Sequence, residues 1–248
     1  MKTHRLSARG FTLVELLVVI TIIAALVGLT APMVMKQVKK GPFVEALGNS
    51  RQIGLALMEF EKDYGSYPDK DTLADVKVNT ESPLAVMNGT NSNDYFRQLL
   101  AAGQGNEKMF YAKAVGTKKP DDVYDTAAKA LAAGEVGFGY VMDGTTAFSS
   151  SSNTNIPVTV TPLLKGSTEL FDAGPFGDKA VALKIDGSAS ELPITKSKKA
   201  MLGGGKHLLQ KGAGTVWGDE INPKIAAPKL RGDSSAKTQG IDVDADPQ

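Results

Sequence analysis

Few residues of this chain have the type and spacing to do chemistry, and the most conspicuous is Glu15. It is a carboxylate a few residues into a stretch, residues 11–35, that carries no other charge. An acid in such a setting is costly and marks a functional position by default, unless it lies at an interface where it snorkels or takes up a proton. The other candidates are weaker. Gly203, Gly204, Gly205 and Lys206 suggest a phosphate loop, but that pattern asks for Gly where Ala200 stands and for Ser or Thr where His207 stands. Asp242, Asp244 and Asp246 alternate like the start of a calcium loop, yet the chain lacks the Gly and the twelfth-position Glu that such a loop needs. Arg231, Gly232 and Asp233 spell an adhesion tripeptide, a match that chance supplies easily in a chain of this length. His207 is the one histidine besides His4, and no nucleophile elbow or triad spacing surrounds it.

The element that must position Glu15 is the uncharged run over residues 16–35. At about twenty residues it matches a hydrocarbon core of about 30 Å and can span a bilayer once. A cleaved secretory signal would have a shorter apolar region, roughly 7–15 residues, closed by a small-residue cleavage site. Lys2, Arg5 and Arg9 precede the run with no acid among them, which keeps the leader in the cytoplasm and exports the chain beyond the run. Lys36, Lys39 and Lys40 vote the other way, but a long domain after a membrane span translocates largely regardless of charge. They read most simply as contacts with lipid head groups.

The phrase Arg9-Gly10-Phe11-Thr12-Leu13-Val14-Glu15-Leu16-Leu17 closely resembles the processing and methylation site of type IV pilins and type II secretion pseudopilins. It joins a basic leader, a Gly before the cut, an aromatic at the new amino terminus, a Glu five residues into the mature chain and an unbroken apolar helix. The resemblance implies that a membrane-embedded prepilin peptidase cuts between Gly10 and Phe11 and methylates the amino group of Phe11. It also implies that Glu15 pairs with the amino terminus of a neighbouring subunit during filament assembly, which makes its burial tolerable. Pro32 stands where many pilins have a helix-kinking proline, with Gly28 one turn earlier, so a kink or melted turn is expected there. The partners implied are the prepilin peptidase, other pilin or pseudopilin subunits, the inner-membrane assembly platform and the lipid bilayer.

Composition sets further limits. Lys plus Arg number 28 against 27 acids, a net charge of +1, which gives no basic face for nucleic acid. There are no cysteines, so the exported part must hold together by packing alone. Many type IV pilins close their carboxy-terminal region with a disulfide, and its absence leans toward the pseudopilins. With two histidines a His-rich zinc site is excluded. No cofactor is expected, except that some major pseudopilins bind calcium in a loop near the end of the domain. That makes Asp143, Asp172, Asp178 and Asp219 ligands to consider, although no spacing among them picks out a set.

Beyond Gly41 and Pro42, which allow a second bend, Ala46, Ser50, Ile53, Leu57, Phe60 and Tyr64 recur at steps of four and three. That is one apolar stripe on a helix, which places the exported half of the helix against a sheet. The helix closes on Asp63, Gly65 and Tyr67-Pro68, a phrase that also resembles the major pseudopilins. Residues 69–92 read as a long loop with one short helical turn, 93–102 as a short helix, 108–114 as a short strand or turn, and 121–133 as helical through its alanines. Asp143-Gly144 and Asp186-Gly187 signal two β-hairpins, the second with Val181, Leu183 and Ile185 facing one side. Residues 149–152 are a serine-rich mobile loop, and 156–164 a strand interrupted by Pro157 and Pro162.

The reading is therefore an α+β, pilin-like fold with one long helix on a small antiparallel sheet. Its parts are a leader (1–10), a membrane and filament-core helix (11–35), an amphipathic half-helix (36–65), a globular domain (66–229) and a polar tail (230–248). A non-catalytic filament subunit is the expected function. The alternative keeps the anchor and makes the domain from Ser66 onward a ligand-binding or adhesive module.

Overall fold

The computed structural model describes residues 11–232, and for residues 30–39 the backbone alone. The leader with Gly10, and the acidic residues Asp242, Asp244 and Asp246, lie outside the described residues, as does Asp233 of the adhesion tripeptide. The chain divides into two compact units, Met1–Gly41 and Pro42–Gln248. The helix α1, Leu13–Tyr64, contributes its first part to one and its second part to the other.

In the second unit the apolar stripe does what its spacing requires. Ala46, Ser50, Ile53, Leu57 and Phe60 are buried, while Glu45, Arg51, Gln52, Glu59 and Lys62 are exposed. The stripe packs into a core shared with a five-stranded antiparallel sheet, the α+β arrangement expected. The strands are β1 (Gly139–Asp143), β2 (Pro157–Thr161), β3 (Lys179–Lys184), β4 (Ala189–Pro193) and, from much later in the chain, β7 (Pro223–Ala226), in the order β4-β3-β2-β1-β7. A separate two-stranded ribbon pairs β5 (Met201–Gly203) with β6 (Lys206–His207). Pro157 is tolerated in central β2 because it is the first residue of the strand.

Several local expectations need correction. Residues 69–92 contain a nine-residue helix, α2 (Thr72–Thr80), rather than a single turn. Its start is organised by buried Asp69, whose Oδ1 accepts the N–H groups of Asp71 and Thr72 and whose Oδ2 accepts that of Ala147. Residues 121–133 are not helical, despite their alanines. One turn closes from Ala130 N–H to Thr126 O, and then Leu131 adopts φ +49°. Side chains take the backbone groups that a helix would have used. Arg97 and Asn93 donate to the Ala130 and Leu131 carbonyls, while Glu107 and Glu135 accept the Leu131 and Ala132 N–H groups. Tertiary hydrogen bonds here outweigh a propensity worth only tenths of a kcal/mol per residue.

The first Asp-Gly turn forms, with Asp143 and Thr146 exchanging backbone bonds, but it is not a tight hairpin turn: the chain runs on through residues 144–156 before it returns as β2, the antiparallel neighbour of β1, whose other side pairs with β7. The second turn joins β3 directly to β4. Val181 and Leu183 share one face of β3, and Ala180 and Ala182 on the other are as buried, so both faces of this strand are covered. The helix α3 (Ser92–Ala101) is found close to where its signals put it, capped by the Asn91 side chain. Around residues 108–114 the chain makes a 3₁₀ turn, Glu107–Phe110, not a strand. The serine run forms a turn whose Ser150 N–H and Oγ donate to Glu61 on α1.

Candidate functional site

At its N-terminus α1 is closed by a reciprocal cap. Thr12 precedes the first helical residue, and its Oγ1 accepts the Glu15 N–H at 3.2 Å. Glu15 answers through Oε2, which accepts the Thr12 N–H at 2.9 Å and the Thr12 hydroxyl at 2.7 Å. This is the Thr-x-x-Glu capping box, which satisfies orphan N–H groups at a helix start. Attention to Glu15 as a lone buried charge misses Thr12, although their three-residue spacing is a usable signal. Phe11, the residue before the cap, is 77% exposed.

The next turns of α1 are apolar all round, and their side chains are exposed. Leu16, Leu17, Ile20, Ile22, Ile23, Leu26 and Val27 each expose about half of their surface, and Leu29 exposes 78%. A helix with no polar face belongs in a bilayer or in the core of an assembly. Thr21, the one hydroxyl among them, returns its Oγ1 to the Leu17 carbonyl, so it adds no unsatisfied donor. No helix among the described residues is long and apolar enough to cross a membrane. The described side chains of this stretch end at Leu29, and the apolar run counted over residues 16–35 continues past them. Gly28 has open space around its Cα, and α1 continues without interruption through Gly28 and Pro32.

In the globular unit, the residues that invited catalytic or nucleotide readings have other roles. Gly203, Gly204 and Gly205, with φ +114°, +58° and +76°, turn the β5–β6 ribbon and do not lead into a helix, as a phosphate loop must. His207 lies beside Glu169 and Lys199 in a depression of about 20 Å³, too small for a substrate. Its imidazole is held below its ordinary basicity, first by burial and then by the Lys199 ammonium. A groove of about 510 Å³ is lined by residues that include Asn153, Asn155, Lys184, Ser190 and Thr215.

The acids considered as calcium ligands are not drawn together. Asp143 Oδ1 accepts the N–H of Asn222, distant in sequence, and Asp172 Oδ1 that of Gly174 in its own turn. Among the described residues the acids that do converge are Glu107, Asp121 and Glu135, with one carboxylate oxygen from each within 4.8 Å of the others. Glu107 and Glu135 are fully buried and Asp121 is exposed. Burial is the main reason that the Glu107 carboxyl is pushed above the usual range. Glu135 and Asp121 push it further, and the Leu131 and Asp122 N–H groups offset this in part.

Comparison with known proteins bears on the start of the helix through a family motif and on half of the chain through a relative. Residues 5–31 match the prokaryotic N-terminal methylation motif. Over 125 residues the chain is 29% identical to the type II secretion system core protein G of Pseudomonas aeruginosa, an alignment that takes in 50% of this chain and 87% of that protein. No solved structure matches. The methylation motif and this relative make the chain similar, through its capped apolar helix and over half of its length, to the type II secretion pseudopilins.

Proposed function

We propose that the chain is a pseudopilin, a filament subunit of a type II secretion pseudopilus or a related type IV pilus-like fibre. In this reading the subunit waits in the bacterial inner membrane, with residues 11–35 across the bilayer, the leader in the cytoplasm and the globular unit in the periplasm. A prepilin peptidase cuts between Gly10 and Phe11 and methylates Phe11. The assembly platform then draws the subunit into a fibre in which residues 11–35 pack against those of neighbouring subunits.

The single observation that carries the reading is the pairing of a methylation motif with an exposed apolar stretch of helix, residues 13–29, whose only charge, Glu15, stands at its start. The exposed side chains from Leu16 to Leu29 lose their contact with water either to lipid or to other helices, at about 25 cal/mol for each Å² covered. The two environments are nearly equivalent for an apolar side chain, which lets a subunit leave one for the other. Glu15 is the exception. In lipid its carboxylate has only the Thr12 groups, whereas beside a neighbour's amino terminus it gains an opposite charge. Glu15 would thus favour the docked state and set the axial register. Gly28 and Pro32 would provide the place where the helix bends or melts as it packs. The absence of cysteines and the core protein G relative support a secretion pseudopilus over a surface pilus.

The test is the mass of the mature amino terminus from cells with and without an active prepilin peptidase. The expected result is a chain that starts at N-methylated Phe11 and is lost without the peptidase. A chain that keeps Met1 in both would make this a plain anchored protein and remove the role given to Glu15.

A further inference from the structure

The cluster of Glu107, Asp121 and Glu135 is an electrostatic problem that the protein's own groups solve only halfway. Glu135 is provided for: Oε2 accepts the Ala132 N–H at 2.6 Å, and Oε1 lies 2.9 Å from the Lys118 ammonium. Glu107 is not. Its Oε1 accepts the Leu131 N–H at 2.6 Å and the Asp122 N–H also favours its ionised form, but among the described residues no hydrogen bond of full geometry closes on the buried Oε2, in a side chain with 0% exposure. The like-charged groups nearby make matters worse. With Lys118 counted, three carboxylates leave an uncompensated charge of about −2 at one point.

A divalent cation would remove all three difficulties at once. It would supply the missing partner of Glu107 Oε2, cancel the excess charge and turn the repulsion among the carboxylates into coordination. The donors are all oxygen, which suits a hard cation such as calcium or magnesium and not zinc or copper. Asp121 is exposed, so the cluster has a side open to solvent through which an ion can enter and keep water ligands. We infer that Glu107, Asp121 and Glu135 form a binding site for a hard divalent cation. The three ligands come from the 3₁₀ turn, from the irregular stretch after Lys118 and from the segment that leads into β1. Bound there, the ion would clamp the segment of residues 118–135, which has almost no regular backbone pairing of its own. The inference is independent of the filament role and of the aspartates near the end of the domain.

The experiment uses the full chain in detergent, stripped with EDTA, with thermal unfolding followed by the fluorescence of its single tryptophan, Trp217. Calcium chloride and magnesium chloride are added separately at millimolar concentration. The expected result is a higher unfolding midpoint with at least one of them, lost in both Asp121→Ala and Glu107→Gln. Without any cation, Glu107→Gln should melt at or above the wild-type midpoint, because it removes an uncompensated charge while keeping the shape. No rise with either ion, or an undiminished rise in both variants, would overturn the site. So would a cation-free Glu107→Gln protein that melts well below wild type, since that would make the carboxylate a satisfied structural group.

Discussion

Gly54 of α1 faces Leu183 of β3 so closely that a Cβ placed on the glycine would lie 3.0 Å from Leu183 Cδ1. The missing side chain is what lets the helix settle on the centre of the sheet. Gly54→Leu should therefore destabilise the globular unit by about 1–3 kcal/mol through overpacking. Gly54→Ala should have little net effect. The gain of up to about 1 kcal/mol in helix propensity is set against a small rotation of Leu183. Urea unfolding followed by Trp217 fluorescence checks both, and an undisturbed Leu variant would mean that the helix does not press on β3 there.

Asn93 ties together three distant parts of the chain. Its Nδ2 donates to the Leu131 carbonyl at 2.8 Å, and its Oδ1 accepts the Lys229 N–H at 2.8 Å. Asn93→Ala would strand both backbone groups, each at about 1–3 kcal/mol. A loss of about 2–4 kcal/mol is expected, together with faster amide exchange at Lys229.

Gly137 lies against the Ala112 backbone, so that a Cβ there would strike main-chain atoms, which cannot rotate away as Leu183 can. Gly137→Ala should therefore cost more than Gly54→Ala, by at least about 1–3 kcal/mol. Equal midpoints for the two alanine variants would contradict this account.

His207 titrates below its ordinary value of 6.5, because burial and the Lys199 ammonium disfavour its charged form. Its contribution to stability is thus present above pH 6.5 and lost as the pH falls through the lowered folded value. Imidazole resonances followed by NMR should show the shift, and His207→Gln should lose less stability than wild type on acidification. A histidine that titrates at or above 6.5 would reverse the sign.

Glu15→Ala should leave membrane insertion and amino-terminal processing intact while lowering incorporation into filaments. Thr12→Ala keeps the carboxylate but removes the hydroxyl of the cap, a loss of about 1 kcal/mol to the helix start, and should therefore impair assembly less. Sheared filament fractions compared with membrane fractions distinguish the two. Normal filaments from Glu15→Ala would remove the role assigned to that residue.

The sequence by itself determined the features whose physics is local or periodic. The methylation motif, the uncharged run behind Glu15, the stripe from Ala46 to Tyr64 and the turn at Asp186-Gly187 could be read because each depends on neighbours within a few residues. Only the tertiary structure decided the rest. Residues 121–133 lose their helix to hydrogen bonds from Asn93, Arg97, Glu107 and Glu135, and of these only Glu135 lies within ten residues of the segment. The strand β7 joins β1 across some eighty residues of chain, a pairing that no local pattern encodes. The meeting of Glu107, Asp121 and Glu135 has the same origin: each is an ordinary surface acid by sequence, and burial of two of them beside the third is a property of the folded core.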